Sequence, residues 1–180
     1  MPRGTYLFSS GAIEEFSCAA GPAGWRYVSP ALDLTLDGAG RQLRVEFRAG
    51  GWTLRGGTAG SSTVWVRSGG AEAVERSATA SGFAGTSPGL LVAAVRLLRL
   101  SPGGRGRLRL VAVSGNALAT RVVEQGWELV GITEHGALSV ARYRMAELDT
   151  GEVGELHVAG DVVLAAPGVE LGALSSPPGR

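Results

Sequence analysis

Short segments in which apolar and polar residues alternate run along most of the chain, separated by glycines. A period of two is the signature of half-buried β-strands joined by tight turns. The stretch from Ala31 to Arg48 is the clearest case. Leu32, Leu34 and Leu36 alternate with Asp33, Thr35 and Asp37; after Gly38-Ala39-Gly40, Leu43, Val45 and Phe47 alternate with Arg44, Glu46 and Arg48. A two-residue hairpin loop at Asp37-Gly38-Ala39-Gly40 sets Leu34 opposite Leu43, Leu32 opposite Val45 and Asp33 opposite Arg44, so that apolar residues meet apolar partners. The same pattern predicts further strands over 5–9, 12–18, 25–28, 52–55, 63–67, 72–76, 107–113, 121–124, 127–132, 138–145, 152–158 and 162–165.

One segment breaks the period. Ser87-Pro88-Gly89 leads into an apolar run interrupted only by Arg96 and Arg99, and Ser101-Pro102-Gly103-Gly104 ends it. A hydroxyl before a proline suited to the first helical position predicts a helix over about 88–100, buried against the sheet and carrying the two arginines on its one polar stripe. The predicted architecture is therefore mainly β: an antiparallel meander forming a barrel or strongly curved sheet with one buried helix. A single β domain is expected over 1–170, followed by a flexible C-terminal tail at 171–180. A G-W-x-L-x-G-x-T pattern occurs at 51–58 and again at 126–133, each time after a leucine-alternating hairpin, which raises the expectation of two duplicated halves.

Composition narrows the setting. A chain of 180 residues can remove roughly 70% of its unfolded surface from water, so it needs no disulfide scaffold, and the one cysteine, Cys18, has no partner for an intramolecular bridge. The longest apolar run, Leu90 to Val95, is far too short to span a bilayer, and no apolar stretch follows Arg3 as a secretory signal would require. A soluble, cytoplasmic protein without stable membrane insertion is expected. A net charge of +1 provides no field to recruit nucleic acid. All 17 cations are arginine, which excludes Schiff-base chemistry on a lysine.

Catalytic signatures are missing: the chain contains no G-x-S-x-G, no H-E-x-x-H and no C-x-x-C. His135 falls in a predicted turn and His157 on a predicted strand, without ligand spacing between them. Glu14 and Glu15 are adjacent on a strand and point to opposite faces, so they cannot flank one bond; Glu14 shares its face with Phe16. Arg105, Arg107 and Arg109 form an alternating basic face, read either as solvated or as a contact for an anionic ligand. Trp25, Trp52, Trp65 and Trp127 all fall on predicted strands, where such rings either plug a core or line an apolar cavity.

The order of these features resembles a bacterial glycolipid-binding family, a domain of unknown function with a LolA-like curved β-sheet. The matching residues are Phe16 and Cys18, the pair Trp25-Arg26, the charged hairpin from Leu32 to Phe47, Gly51-Trp52, then Gly82, Gly85 and Ser87-Pro88, then Arg96-Leu97, and near the end Ala166-Pro167-Gly168. What the resemblance implies is a lipid-like or glycolipid-like ligand. Together with the apolar helix and the four tryptophans it predicts a non-catalytic protein that binds an amphipathic small molecule in an apolar cavity. The expected contacts are Trp25, Arg26, Trp52, Trp65, Arg96, Arg99 and Trp127, with Arg96 and Arg99 at the rim, and with no metal and no cofactor. The alternative is a protein-interaction or regulatory module that presents a sheet face or edge, for example as a homodimer.

Overall fold

The computed structural model describes residues 2–21 and 24–178. One antiparallel meander fills the first half: β1 (Arg3–Phe8), β2 (Ile13–Gly21), β3 (Gly24–Val28), β4 (Leu32–Asp37), β5 (Gln42–Ala49), β6 (Trp52–Ala59), β7 (Ser62–Gly69) and β8 (Glu72–Thr79). A two-residue strand β9 (Phe83–Ala84) and the helix α1 (Pro88–Leu98) follow. A second meander runs through β10 (Arg105–Ser114), β11 (Ala119–His135), β12 (Leu138–Glu147), β13 (Val153–Ala159), β14 (Val162–Ala166) and β15 (Val169–Leu174).

All 15 strands belong to one curved, unclosed sheet in the order β8 to β1, then β15 down to β9, so that β1 and β15 meet in its middle. The predicted mainly β class, the curved sheet and the helix are all present. Residues 171–174, expected in a flexible tail, lie instead in β15, where Leu174 pairs with Gly4 and Leu171 with Tyr6. Their alternation was too weak to read as a strand, and pairing along β1 supplies the order.

The concave face carries the core. Tyr6, Phe16, Cys18, Trp25, Tyr27, Leu34, Val45, Leu54, Trp127, Leu129 and Val158 are buried on it, and the helix packs into the hollow against β4, β9 and β14. Each fully buried leucine or valine contributes about 1.5–3 kcal/mol. Tyr6 stacks on Phe16 with ring centroids 4.4 Å apart, and Phe16 stacks on Tyr27 at 5.7 Å. The helix backbone crosses this stack at Gly89, where a Cβ would come within 2.6 Å of the Tyr27 ring. Only glycine permits that approach.

The connection from β8 to β9 folds over the concave face and carries Phe83 between Phe47 and Trp65, at centroid distances of 5.7 and 6.0 Å. The Gln42 side chain holds it on both sides, accepting from Phe83 N at 2.7 Å and donating to Phe83 O at 2.9 Å.

Two expectations are corrected. The β4–β5 hairpin exists, but Leu34 pairs with Val45, Leu32 with Phe47 and Asp33 with Glu46, not with Leu43, Val45 and Arg44. Asp37 accepts from the backbone N–H groups of Ala39 and Arg41, both at 2.8 Å, which enlarges the turn; the register shifts between Thr35 and Leu36 and leaves Leu43 exposed. The two Gly-Trp segments also occupy different places. Gly50 and Gly51 have positive φ and turn the chain, so Trp52 opens β6, whereas Gly126-Trp127 lies inside the long β11, paired on both sides. The helix ends at Leu98 because Arg99 is left-handed, with φ 46°.

Candidate functional site

The helix lies in the hollow, and a cleft of about 330 Å³ opens where its N-terminus begins. Three turns and one strand end build its walls. The β1–β2 turn closes on Phe8, whose N–H donates to Ala12 O at 2.9 Å. The β3–β4 turn is set by Ser29, whose N–H donates to Leu32 O at 2.7 Å and whose hydroxyl accepts from Leu32 N at 3.1 Å. The end of β5 provides Phe47 and Ala49. The β10–β11 turn contributes Leu118, a non-glycine residue at φ 50° that is nonetheless buried. A leucine in that region is strained by about 1–3 kcal/mol, and here its side chain gains burial against the cleft.

At the base of this apolar cleft lie polar groups. Glu14 projects from β2 on the face of Phe16 and Cys18 and is paired across β1 with Tyr6, so its carboxylate is on the concave side. The Tyr27 hydroxyl donates to Glu14 Oε1 at 3.4 Å. Desolvation raises the Tyr27 phenol above its ordinary pKa, and the neighbouring Glu14 charge raises it further, so it remains a neutral donor. Ser87, at the entry to the helix, keeps its hydroxyl beside the Tyr27 phenol, shielded from water and without a well-formed hydrogen bond among the described residues. Among the described residues lining the cleft, Glu14 is the one carboxylate and no histidine or cysteine joins it. Such a site can accept hydrogen bonds and hold an apolar body; it has no acid and base pair.

The other hollows differ in charge. On the convex face a shallow groove of about 400 Å³ runs between Arg105, Arg107 and Arg144, of which Arg105 and Arg144 share Glu128 at 3.1 and 3.5 Å. Beside the helix C-terminus a groove of about 370 Å³ is bordered by Arg41, tied to Asp37 at 2.7 Å, and Arg109, tied to Glu124 at 3.2 Å. A third groove, of about 490 Å³, follows the unclosed seam between β8 and β10, with the exposed Val122 on one side and the buried Trp65 and Val111 beneath it.

None of the seven residues expected at the site lines the mouth cleft. Trp25 is buried in the core, its indole N–H donating to Asp161 Oδ2 at 3.4 Å, and the Arg96 guanidinium lies 5.4 Å from its ring. That is the one pair the structure brings together. Arg26, on the opposite face of β3, is held in a fork by Asp33 at 3.0 and 2.8 Å. Trp52 is half-buried under the Arg67 guanidinium, 4.6 Å away. Trp65 is buried against Phe83, and Trp127 donates to Gln125 Oε1 at 3.2 Å and meets Tyr143 edge-on. Arg99 donates to Gly38 O, far from the cleft. Cys18 is buried against Asp161, and desolvation together with that neighbour pushes its thiol up to about 12. Such a thiol is inert at neutral pH.

Sequence reasoning left Glu14 and Ser87 outside the site. The shared face of Glu14 and Phe16 was the available signal; which end of the concave face stays open could not be read from it.

A solved structure of a DUF1089 family protein from Pseudomonas aeruginosa is similar in fold, with a TM-score of 0.56 and 18% identity, over 87% of this chain and 83% of that chain. No protein-family model matches the chain, and no curated protein matches it by sequence. Among the described residues no helix is long and apolar enough to cross a membrane.

Proposed function

We propose that this chain binds an amphipathic small molecule in the mouth cleft and performs no chemistry on it. The observation that carries this reading is the pairing of apolar walls from Leu32, Phe47, Val113 and Leu118 with a half-buried carboxylate, Glu14, which accepts from the buried Tyr27 hydroxyl behind the wall. Ligand pockets are mostly apolar with a small number of orienting polar groups, and the cleft lies at the lower end of their usual range of roughly 300–1,000 Å³. The family resemblance in the sequence points the same way, towards a lipid-like ligand.

Native mass spectrometry of the purified protein, followed by solvent extraction, tests the reading. A bound amphiphile that is lost when Ala31→Trp fills the cleft supports it; a protein that carries and takes up no amphiphile, with or without the replacement, refutes it. A second reading rests on a separate observation. The strand β8 ends the sheet, so one edge of its backbone is open to a partner, and the adjoining groove carries the exposed Val122. A partner strand, including one from a second copy, would sit there. Light scattering that gives the monomer mass at all concentrations counts against the self-pairing form.

A further inference from the structure

The mouth cleft contains a carboxylate without a cation. Several other partly buried carboxylates are matched by arginine: Asp33 by Arg26, Asp37 by Arg41, and Glu46 by Arg44, Arg48 and Arg55. Glu14 is half-buried and makes no ion pair among the described residues. The groups that face it are neutral or already engaged: Tyr6 from β1, Tyr27 from β3, and Ser87 at the helix entry. The cation nearest the cleft in the wall, Arg48, is bound to Glu46 at 2.6 Å. The chain has no lysine that could swing over. A carboxylate in an apolar recess is costly unless paired, and an ammonium matches it, since it brings the opposite charge and N–H donors to the carboxylate oxygens.

We infer that the polar end of the ligand is a cation, a primary amine on an apolar body, whose ammonium pairs with the Glu14 carboxylate in the wall of the cleft. This rests on the reading of the mouth cleft as the site for an amphiphile, and it specifies the class of headgroup. An anionic head would face Glu14 without any free cation to receive it. A neutral hydroxyl would accept or donate a hydrogen bond but leave the charge uncompensated.

Titration calorimetry at neutral pH, with each probe below its micelle concentration, separates these cases. Decylamine, decanol and decanoate share one chain and differ in head charge. The wild type should bind decylamine at least about tenfold more tightly than decanol and should bind decanoate most weakly, and Glu14→Gln should remove the preference while leaving decanol affinity unchanged. Equal binding of the three probes, or a preference that persists in Glu14→Gln, overturns the inference. The cleft reading survives that result if Ala31→Trp abolishes binding of all three probes. If no probe binds the wild type, or if the filled cleft binds decylamine as before, the reading of the cleft fails and the inference fails with it.

Discussion

The two ends of α1 are treated differently by the sheet around them. At the C-terminal end a hydrogen bond ties the helix to the β4–β5 turn. Arg99 turns left-handed and donates to Gly38 O, Asp37 collects two backbone N–H groups and Arg41, and Gly40 lies so close that a Cβ would meet Arg96 C and Leu97 N at 2.6 Å. At the N-terminal end Ser87 has extended backbone and its hydroxyl caps nothing; Pro88 starts the helix, and beside it the Tyr27 phenol donates to Glu14, a carboxylate that makes no ion pair among the described residues. One end is clamped and the other is poised. The C-terminal end is tied to the β4–β5 turn by a hydrogen bond and the N-terminal end is held by packing of Gly89 on Tyr27, beside which a cleft opens.

The comparison breaks first at Gly40. Because its φ is +86° and the helix backbone blocks a Cβ, Gly40→Ala should lose about 2–4 kcal/mol, read as a lower urea midpoint; an unchanged midpoint would show that the turn does not clamp the helix.

A carboxylate extends the contrast. Hydrogen bonding by Arg55, outweighing the burial of the carboxylate and helped by Arg48, holds Glu46 well below the ordinary 4.5, at about 2. A depressed folded-state pKa stabilises the protein above the unfolded value, and that contribution disappears as pH falls through the folded one. Glu46→Gln should therefore be less stable than the wild type at neutral pH. The gap should close between pH 4.5 and about 2 in denaturation curves taken across that range.

Smaller effects sharpen the same picture. Asp37→Ala removes the acceptor of two turn N–H groups and should cost about 1 kcal/mol by the same urea measurement. Ser87→Ala at the opposite end should change stability by less than about 0.5 kcal/mol, since no cap bond is lost. A cost near 1 kcal/mol there would mean that Ser87 does cap the helix.

Much of the fold could be read from alternation. The strands over 5–9, 12–18 and 63–67 fall inside or across β1, β2 and β7, and the helix begins at Pro88 as its cap and proline imply. What alternation cannot register is a residue that drops out of the ladder. Leu43 looks like an inward leucine, yet the extra turn residues held by Asp37 rotate it to solvent and move every pair of the hairpin. A tryptophan count likewise cannot distinguish a plug from a wall: Trp25 and Trp65 are both plugs, because the helix and Phe83 occupy the space a central cavity would need. Glu14 was placed on the face of Phe16 by its spacing, but its importance depends on which end of the sheet the turns leave open, and that is decided by contacts between residues far apart in sequence.

The adjacency of β1 and β15 also bears on how the chain folds. Every other pairing joins strands that follow one another, and apart from the parallel β9–β10 pair these are antiparallel, so β1 to β8 and β10 to β15 can each zip up from local hairpins. Only the pairing of Gly4 to Phe8 with Val169 to Leu174 requires the two extremities of the described chain to find each other. The loop-closure entropy of that encounter falls on a single step, which sets it apart kinetically from the fast local hairpins and makes it the natural place for a late barrier.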